Sequence, residues 1–294
     1  MPRRGRGPSR PRGVLGPRGG DAVSSPAPPP AKQYLAGILD RKRVEIRRRR
    51  RHGAAAPAGT VESRGSSAIA ALRRPLGGPP RVIAEVKFQS PSRGQIRRRV
   101  AREAVRVARQ YEEAGAAAVS VLADRVGFGG CALDVRRVAA AIEAPVLFKE
   151  FVLDECQVEL ARTVGASLVL LLVRALTATR LRELTVAIRG AGMEPVVEAA
   201  NADEVASALD VDAQIIGVNA RDLSTFTVDP AAARRALEGI PAGRVAVYMS
   251  GVKDRPSFDA VAAGRADAVL IGEGLMRAEV PGDALRALWG REVA

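Results

Sequence analysis

A single histidine, His52, occurs in the 294 residues of this chain, directly after a run of five arginines. That scarcity excludes a Ser-His triad, histidine acid–base chemistry and multi-histidine metal sites, so proton transfer falls to lysines and carboxylates. Cysteine is nearly as rare. Cys131 and Cys156 lack metal-ligand spacing and are too few for a disulfide framework, which predicts free thiols. No apolar run approaches the roughly 20 residues that cross a bilayer, and the N-terminus lacks the short apolar segment of a secretory signal. The expected setting is the cytoplasm, with no membrane partner.

Acidic residues are sparse at one end only. Residues 1–52 hold 15 of the 46 Lys/Arg and three of the 32 Asp/Glu, a net +12, so most of the formal charge of +14 sits there and +2 remains for the rest. The basic character belongs to an arm, and nucleic acid is not the expected partner of the folded part. Residues 1–30, rich in Arg, Gly and Pro and ending in Pro26-Ala27-Pro28-Pro29-Pro30, cannot bury enough apolar surface to offset ordering and are predicted to be disordered. From Tyr34 onward, Leu35, Ile38, Leu39 and Val44 fall at helical spacing, which predicts an amphipathic helix over 32–51. A Gly/Ala/Pro-rich linker and a short helix at Ser66–Leu72 follow.

What the chain does have is apolar residues, 47% of the total, enough for a large core. They gather in eight runs at 82–87, 117–122, 145–149, 167–173, 194–198, 214–219, 244–249 and 266–271, with helix-period segments between them. Unbroken runs such as Leu168 to Val173 mark strands buried on both faces, and strand-then-helix alternation implies parallel crossovers. Eight such units predict a (β/α)8 TIM barrel within a catalytic domain at 31–294, with a doubly wound open sheet as the alternative.

In such a barrel the C-terminal strand ends build the active site. Val82 to Gly94 carries the strongest local signal: alternate residues of a strand share a face, so Glu85 and Lys87 project together before Ser90-Pro91-Ser92-Arg93-Gly94 turns the chain. An acid and an amine on the inner face of a buried strand require partners, a substrate or a solvated mouth. Later strands end in Phe148-Lys149-Glu150, Val197-Glu198, Asn219-Ala220-Arg221-Asp222, Ser250-Gly251 and Gly272-Glu273-Gly274. Each has an ordinary reading singly, as a surface cation, a capping acid or a turn residue. Together they predict that Glu85, Lys87, Lys149, Glu198 and Asn219 converge. Gly251 and Gly272 end the seventh and eighth strands, where such barrels bind phosphate through backbone N–H groups.

These segments, in this order, resemble indole-3-glycerol phosphate synthases of tryptophan biosynthesis. The resemblance rests on Ile83-Ala84-Glu85-Val86-Lys87, Ser90-Pro91-Ser92-Arg93-Gly94, Tyr111-Glu112-Glu113-Ala114-Gly115-Ala116, Phe148-Lys149-Glu150-Phe151-Val152, Ile216 to Leu223 and Leu270 to Arg277. It implies cyclisation of 1-(2-carboxyphenylamino)-1-deoxyribulose 5-phosphate with loss of carbon dioxide and water, by a monomer that needs no metal or organic cofactor. It also implies Lys149 as the acid of ring closure, and Lys87 on the aromatic carboxylate and as acid in dehydration. Glu85 and Glu198 become carboxylate partners or proton acceptors, Asn219 a holder of sugar oxygens, and Ser90, Ser250, Gly251 and Gly272 phosphate contacts, with Arg221 assisting or bracing. Two departures stand out: Met249 replaces the family's usual Glu before Ser250-Gly251, and Glu273 stands where some members have serine. Loss of the usual carboxylate at position 249 leaves two readings, an active synthase or a repurposed phosphate-binding barrel with a polyanion-binding arm.

Overall fold

The computed structural model describes residues 34–52, 65–91 and 93–290. The expected disordered arm and the linker lie outside the described residues. Eight parallel strands close into a barrel: β1 (Arg81–Val86), β2 (Ala118–Leu122), β3 (Val146–Lys149), β4 (Leu168–Leu172), β5 (Glu194–Ala199), β6 (Ile215–Asn219), β7 (Val245–Met249) and β8 (Ala268–Ile271). Closure is explicit in the register. Arg81 to Ala84 of β1 pair with Ala268 to Ile271 of β8, while Ile83 to Val86 pair with Ala118 to Val121 of β2. This is the predicted (β/α)8 barrel, and the open-sheet alternative falls with it.

Strand parity follows from the sequence. Val82, Ala84 and Val86 pack outward on the helices, whereas Ile83 packs inward; in β7, Ala246 and Tyr248 face out and Val245, Val247 and Met249 face in. Outer helices begin where an Asp or Asn can accept from their first free N–H groups: Asn201 caps through Glu204 N at 3.0 Å, and Asp254 forms a capping box with Ser257.

Two further helices close the barrel's ends. Helix α1 spans Tyr34–His52, residues 32 and 33 of the expected helix lying outside the described residues, and α2 spans Gly65–Leu72. Ala68 and Leu72 are fully buried in the interior cluster with strand residues Ile83, Ala118, Val196 and Val245, so α2 plugs the N-terminal end. Burial of Leu72 alone contributes roughly 1.5–3 kcal/mol. At the opposite mouth, α1 places Ile38 and Leu39 in one cluster with Phe151, and its Tyr34 ring meets Phe226 edge-on at 5.0 Å.

Candidate active site

Inward parity at the C-terminal strand ends brings the predicted acids and amines together. Lys87 Nζ lies 2.8 Å from Glu85 Oε1. Across the barrel, Lys149 Nζ sits 3.7 Å from Glu85 Oε2 and 3.8 Å from Glu198 Oε2. These separations exceed a hydrogen bond, so Lys149 is held between two carboxylates by charge while its N–H groups are not spent on either. Glu198 Oε1 accepts from Asn219 Nδ2 at 2.9 Å, and Asn219 Oδ1 accepts from the Arg221 N–H at 3.0 Å. The result is a continuous chain from β1 through β3 and β5 to β6.

Glu85 is buried at 4% exposure, and its Oε2 accepts from Ser120 Oγ at 3.4 Å. Burial alone would raise its pKa. The ammonium groups of Lys87 and Lys149, with hydrogen bonds from Lys87 and Ser120, outweigh that and hold Glu85 below the ordinary carboxylate range. It is therefore an ionised acceptor at neutral pH, with two cations within reach.

The chain of charges floors a cavity of about 560 Å³ that all ten predicted site residues line. Ser90 Oγ is buried there without a hydrogen-bond partner among the described residues, and a buried hydroxyl in that state is expected to have one. Ser250 and Gly251 both take positive φ, 68° and 85°, in the turn out of β7. A side chain at Gly251 would meet Val228 Cγ1 at 2.9 Å, and one at Gly272 would meet Glu85 Oε1 at 2.6 Å, so both glycines leave room that any Cβ would remove. Arg221 braces the loop after β6: its Nη1 donates to Phe226 O at 3.0 Å, its backbone bridges Val228, and Phe226 itself has φ 57°.

Met249 behaves differently from the ring around it. It is 1% exposed and pairs in register with Asn219, but it does not line the cavity. Its Cε occupies the space above Gly217, where a Cβ would come within 2.2 Å of it. A methionine thus fills, beneath the floor, the volume that the missing side chain of Gly217 leaves open.

The walls of the cavity carry no motif. Phe128, Phe151 and Phe226 line the cavity together with Leu122, Leu172 and Leu223, and the Phe128 and Phe151 rings stand 6.2 Å apart. A signal was available: only six phenylalanines occur in the chain, and four of them, these three and Phe88, follow strand ends. Also missed was Lys42 of α1, which reaches the loops after β2 and β3.

An amine–carboxylate chain at the C-terminal mouth of a (β/α)8 barrel, under an apolar-walled cavity with small residues at β7 and β8, defines a barrel enzyme that moves protons on a small anionic substrate. Comparison with known proteins narrows the class. The family model described as indole-3-glycerol phosphate synthase matches residues 35–288. The chain is 40% identical over 245 residues to the indole-3-glycerol phosphate synthase of Chlorobium phaeovibrioides, covering 83% of this chain and 94% of that one. It is 44% identical over 221 residues to indole-3-glycerol phosphate synthase 2 of Streptomyces coelicolor, covering 75% and 84%. This chain belongs to the indole-3-glycerol phosphate synthase family. Solved structures that share the fold include KGPDC from Streptococcus mutans (TM-score 0.56, 13% identity, 72% of this chain and 96% of that one). A tryptophan synthase α-subunit from Pyrococcus furiosus has the same TM-score of 0.56 at 14% identity, with 72% and 98% covered. No described helix is long and apolar enough to cross a membrane.

Proposed function

We propose that this chain closes the indole ring of 1-(2-carboxyphenylamino)-1-deoxyribulose 5-phosphate, as a cytoplasmic monomer whose catalytic unit spans residues 31–294. The ring carbon that bears the carboxylate attacks the sugar ketone, the carbon–carbon bond to carbon dioxide breaks, and the resulting hydroxyl leaves as water. Lys149 donates the proton to the ketone oxygen as it gains charge; its position between Glu85 and Glu198 without a hydrogen bond to either supports that role. Lys87 pairs with the aromatic carboxylate and serves as acid when the hydroxyl departs, with Glu85, ionised beside it, taking up a proton. Glu198 orients Asn219, which holds a sugar oxygen, and Arg221 fixes the loop above it. The Ser90 hydroxyl, without a partner among the described residues, and the space at Ser250, Gly251 and Gly272 suit the phosphate, while Phe128, Phe151 and the leucines suit the aromatic ring.

The observation that carries this reading is the unbroken series Lys87, Glu85, Lys149, Glu198 and Asn219 on the floor of one cavity. Its test is direct. Purified protein given the carboxyphenylamino-deoxyribulose phosphate should release carbon dioxide and an indole-absorbing product, and Lys149→Ala should lower kcat by about 10²–10⁴-fold. Unchanged turnover in that variant would reject the role given to Lys149.

A further inference from the structure

Outside the floor of charges the structure contains a second ionic cluster, and it is more deeply buried than most surface pairs. Lys42 of α1 is 3% exposed. Its Nζ contacts Asp124 Oδ1 at 3.0 Å, both oxygens of Glu150 at 3.1 Å and Glu45 Oε2 at 2.7 Å. Asp124 and Glu150 are 3% and 9% exposed, whereas Glu45 is exposed. A buried ammonium confined in this way is expensive unless the arrangement does something.

Each carboxylate that Lys42 binds also organises a wall of the cavity. Asp124 follows β2 and caps the helical turn Arg125–Phe128, its Oδ2 accepting from Gly127 N at 2.7 Å, so its placement sets that of Phe128. Glu150 follows Lys149 directly, and its Oε1 accepts from the Phe151 N–H at 2.8 Å, so its placement sets that of Phe151. The two loops also share a backbone bond, Ala123 N to Lys149 O at 2.9 Å. One ammonium therefore joins α1, the Phe128 turn and the Lys149-Glu150-Phe151 segment at a single point.

We propose that Lys42 is a positioning residue for the ring closure: by holding Asp124 and Glu150 together beneath α1 it fixes the Phe128–Phe151 wall and the backbone that carries Lys149. The inference rests on the ring-closure reading above. Charge balance in the cluster supports it. One cation faces two buried carboxylates, and the groups around them are Glu45 and Tyr34 of α1 and the Phe151 N–H. Burial, aided by Asp124 and opposed by Lys42, pushes the Glu150 carboxyl up to about 7, while Glu150 and Asp124 outweigh burial and hold the Lys42 ammonium above its ordinary range. Lys42 is thus charged throughout, and removal of its charge would leave two buried acids, with Glu150 harder to ionise than before, that push their loops apart wherever both are ionised.

The test is steady-state turnover of the full chain carrying Lys42→Met, alone and with Glu150→Gln, from pH 5.5 to 8.5. Lys42→Met should lower kcat about tenfold or more at pH 8, the scale expected when a reacting group is misplaced by a fraction of an ångström to an ångström. That loss should shrink as pH falls from the alkaline end, because Glu150, without the Lys42 charge that lowers its carboxyl, takes a proton at a higher pH than in the parent, and adding Glu150→Gln should recover most of it at pH 8. A role confined to packing would show neither the pH dependence nor the rescue. A kcat within twofold of the parent, or a loss indifferent to both pH and Glu150→Gln, overturns the proposal. If Lys42→Met does not fold, Asp124→Asn decides: it retains an acceptor for Gly127 N and weakens the grip of Lys42, so kcat should fall threefold or more, and an unchanged kcat overturns the proposal. Absence of turnover in the parent would instead strike the ring-closure reading itself.

Discussion

Replacing Gly272 by alanine is the smallest change that should reach the chemistry. The Cβ would sit 2.6 Å from Glu85 Oε1 and 3.2 Å from its Cδ. Gly272 has φ −125°, outside the left-handed region, so the penalty that reaches Glu85 is the collision. Glu85 cannot swing into solvent from 4% exposure; it must withdraw from Lys87 at 2.8 Å and from Lys149. A hydrogen bond to a charged group is worth about 1.5–3 kcal/mol, which corresponds to roughly 10- to 150-fold in rate if the transition state uses the displaced carboxylate. The assay is the rate of indole absorbance, with kcat and KM resolved and thermal melting by circular dichroism alongside. Loss of a phosphate contact at Gly272 alone would raise KM, whereas displacement of Glu85 lowers kcat. In Glu85→Ala the Oε1 and Cδ contacts are gone and only the 3.1 Å approach to Cβ remains, so Gly272→Ala should add much less on that background. A kcat within twofold of the parent, or full additivity with Glu85→Ala, refutes the reasoning.

Met249→Glu places a carboxylate at a 1%-exposed position against Gly217, so it should lower stability by several kcal/mol while changing kcat less than about threefold. A tenfold rise in turnover would mark the present chain as the weakened, repurposed barrel instead. Glu150 gives a pH signature in stability. Because its carboxyl is raised from 4.5 to about 7, the folded state keeps a proton that the unfolded state has lost between those values, and its contribution falls as pH rises through that window by at most about 3 kcal/mol. Denaturant unfolding of the parent and of Glu150→Gln from pH 4.5 to 8 should diverge in that direction; parallel curves would refute the shift. Glu85, lowered by its lysines, acts oppositely: its contribution is present at neutral pH and fades as acid protonates it.

The barrel was legible because its strands are unbroken Val, Ile, Leu and Ala runs, and parity within them sends Glu85, Lys149, Glu198 and Asn219 to the same interior. The cluster at Lys42 was not. Lys149 and Glu150 are neighbours in sequence and read as one charged pair, yet alternation turns the first into the barrel and the second outward to a helix 108 positions earlier. No local pattern encodes a contact of that span. The aromatic wall was hidden for a related reason: Phe128, Phe151 and Phe226 sit in turns and loops, where no period marks which way a side chain points. Met249 was visible as a substitution, but its place under the floor depends on the absent side chain of Gly217 on the neighbouring strand β6, a pairing between strands that neither motif states by itself.

The long span of the Lys42 contact also governs the order of assembly. Helix α1 has nothing to grip until the loops after β2 and β3 exist, and its outward side carries Arg43, Arg47, Arg48 and Arg51, which favour water. Its amides should exchange with solvent well before those of the strands. The cylinder of strands can stay intact while α1 lifts, leaving a folded molecule without a roof.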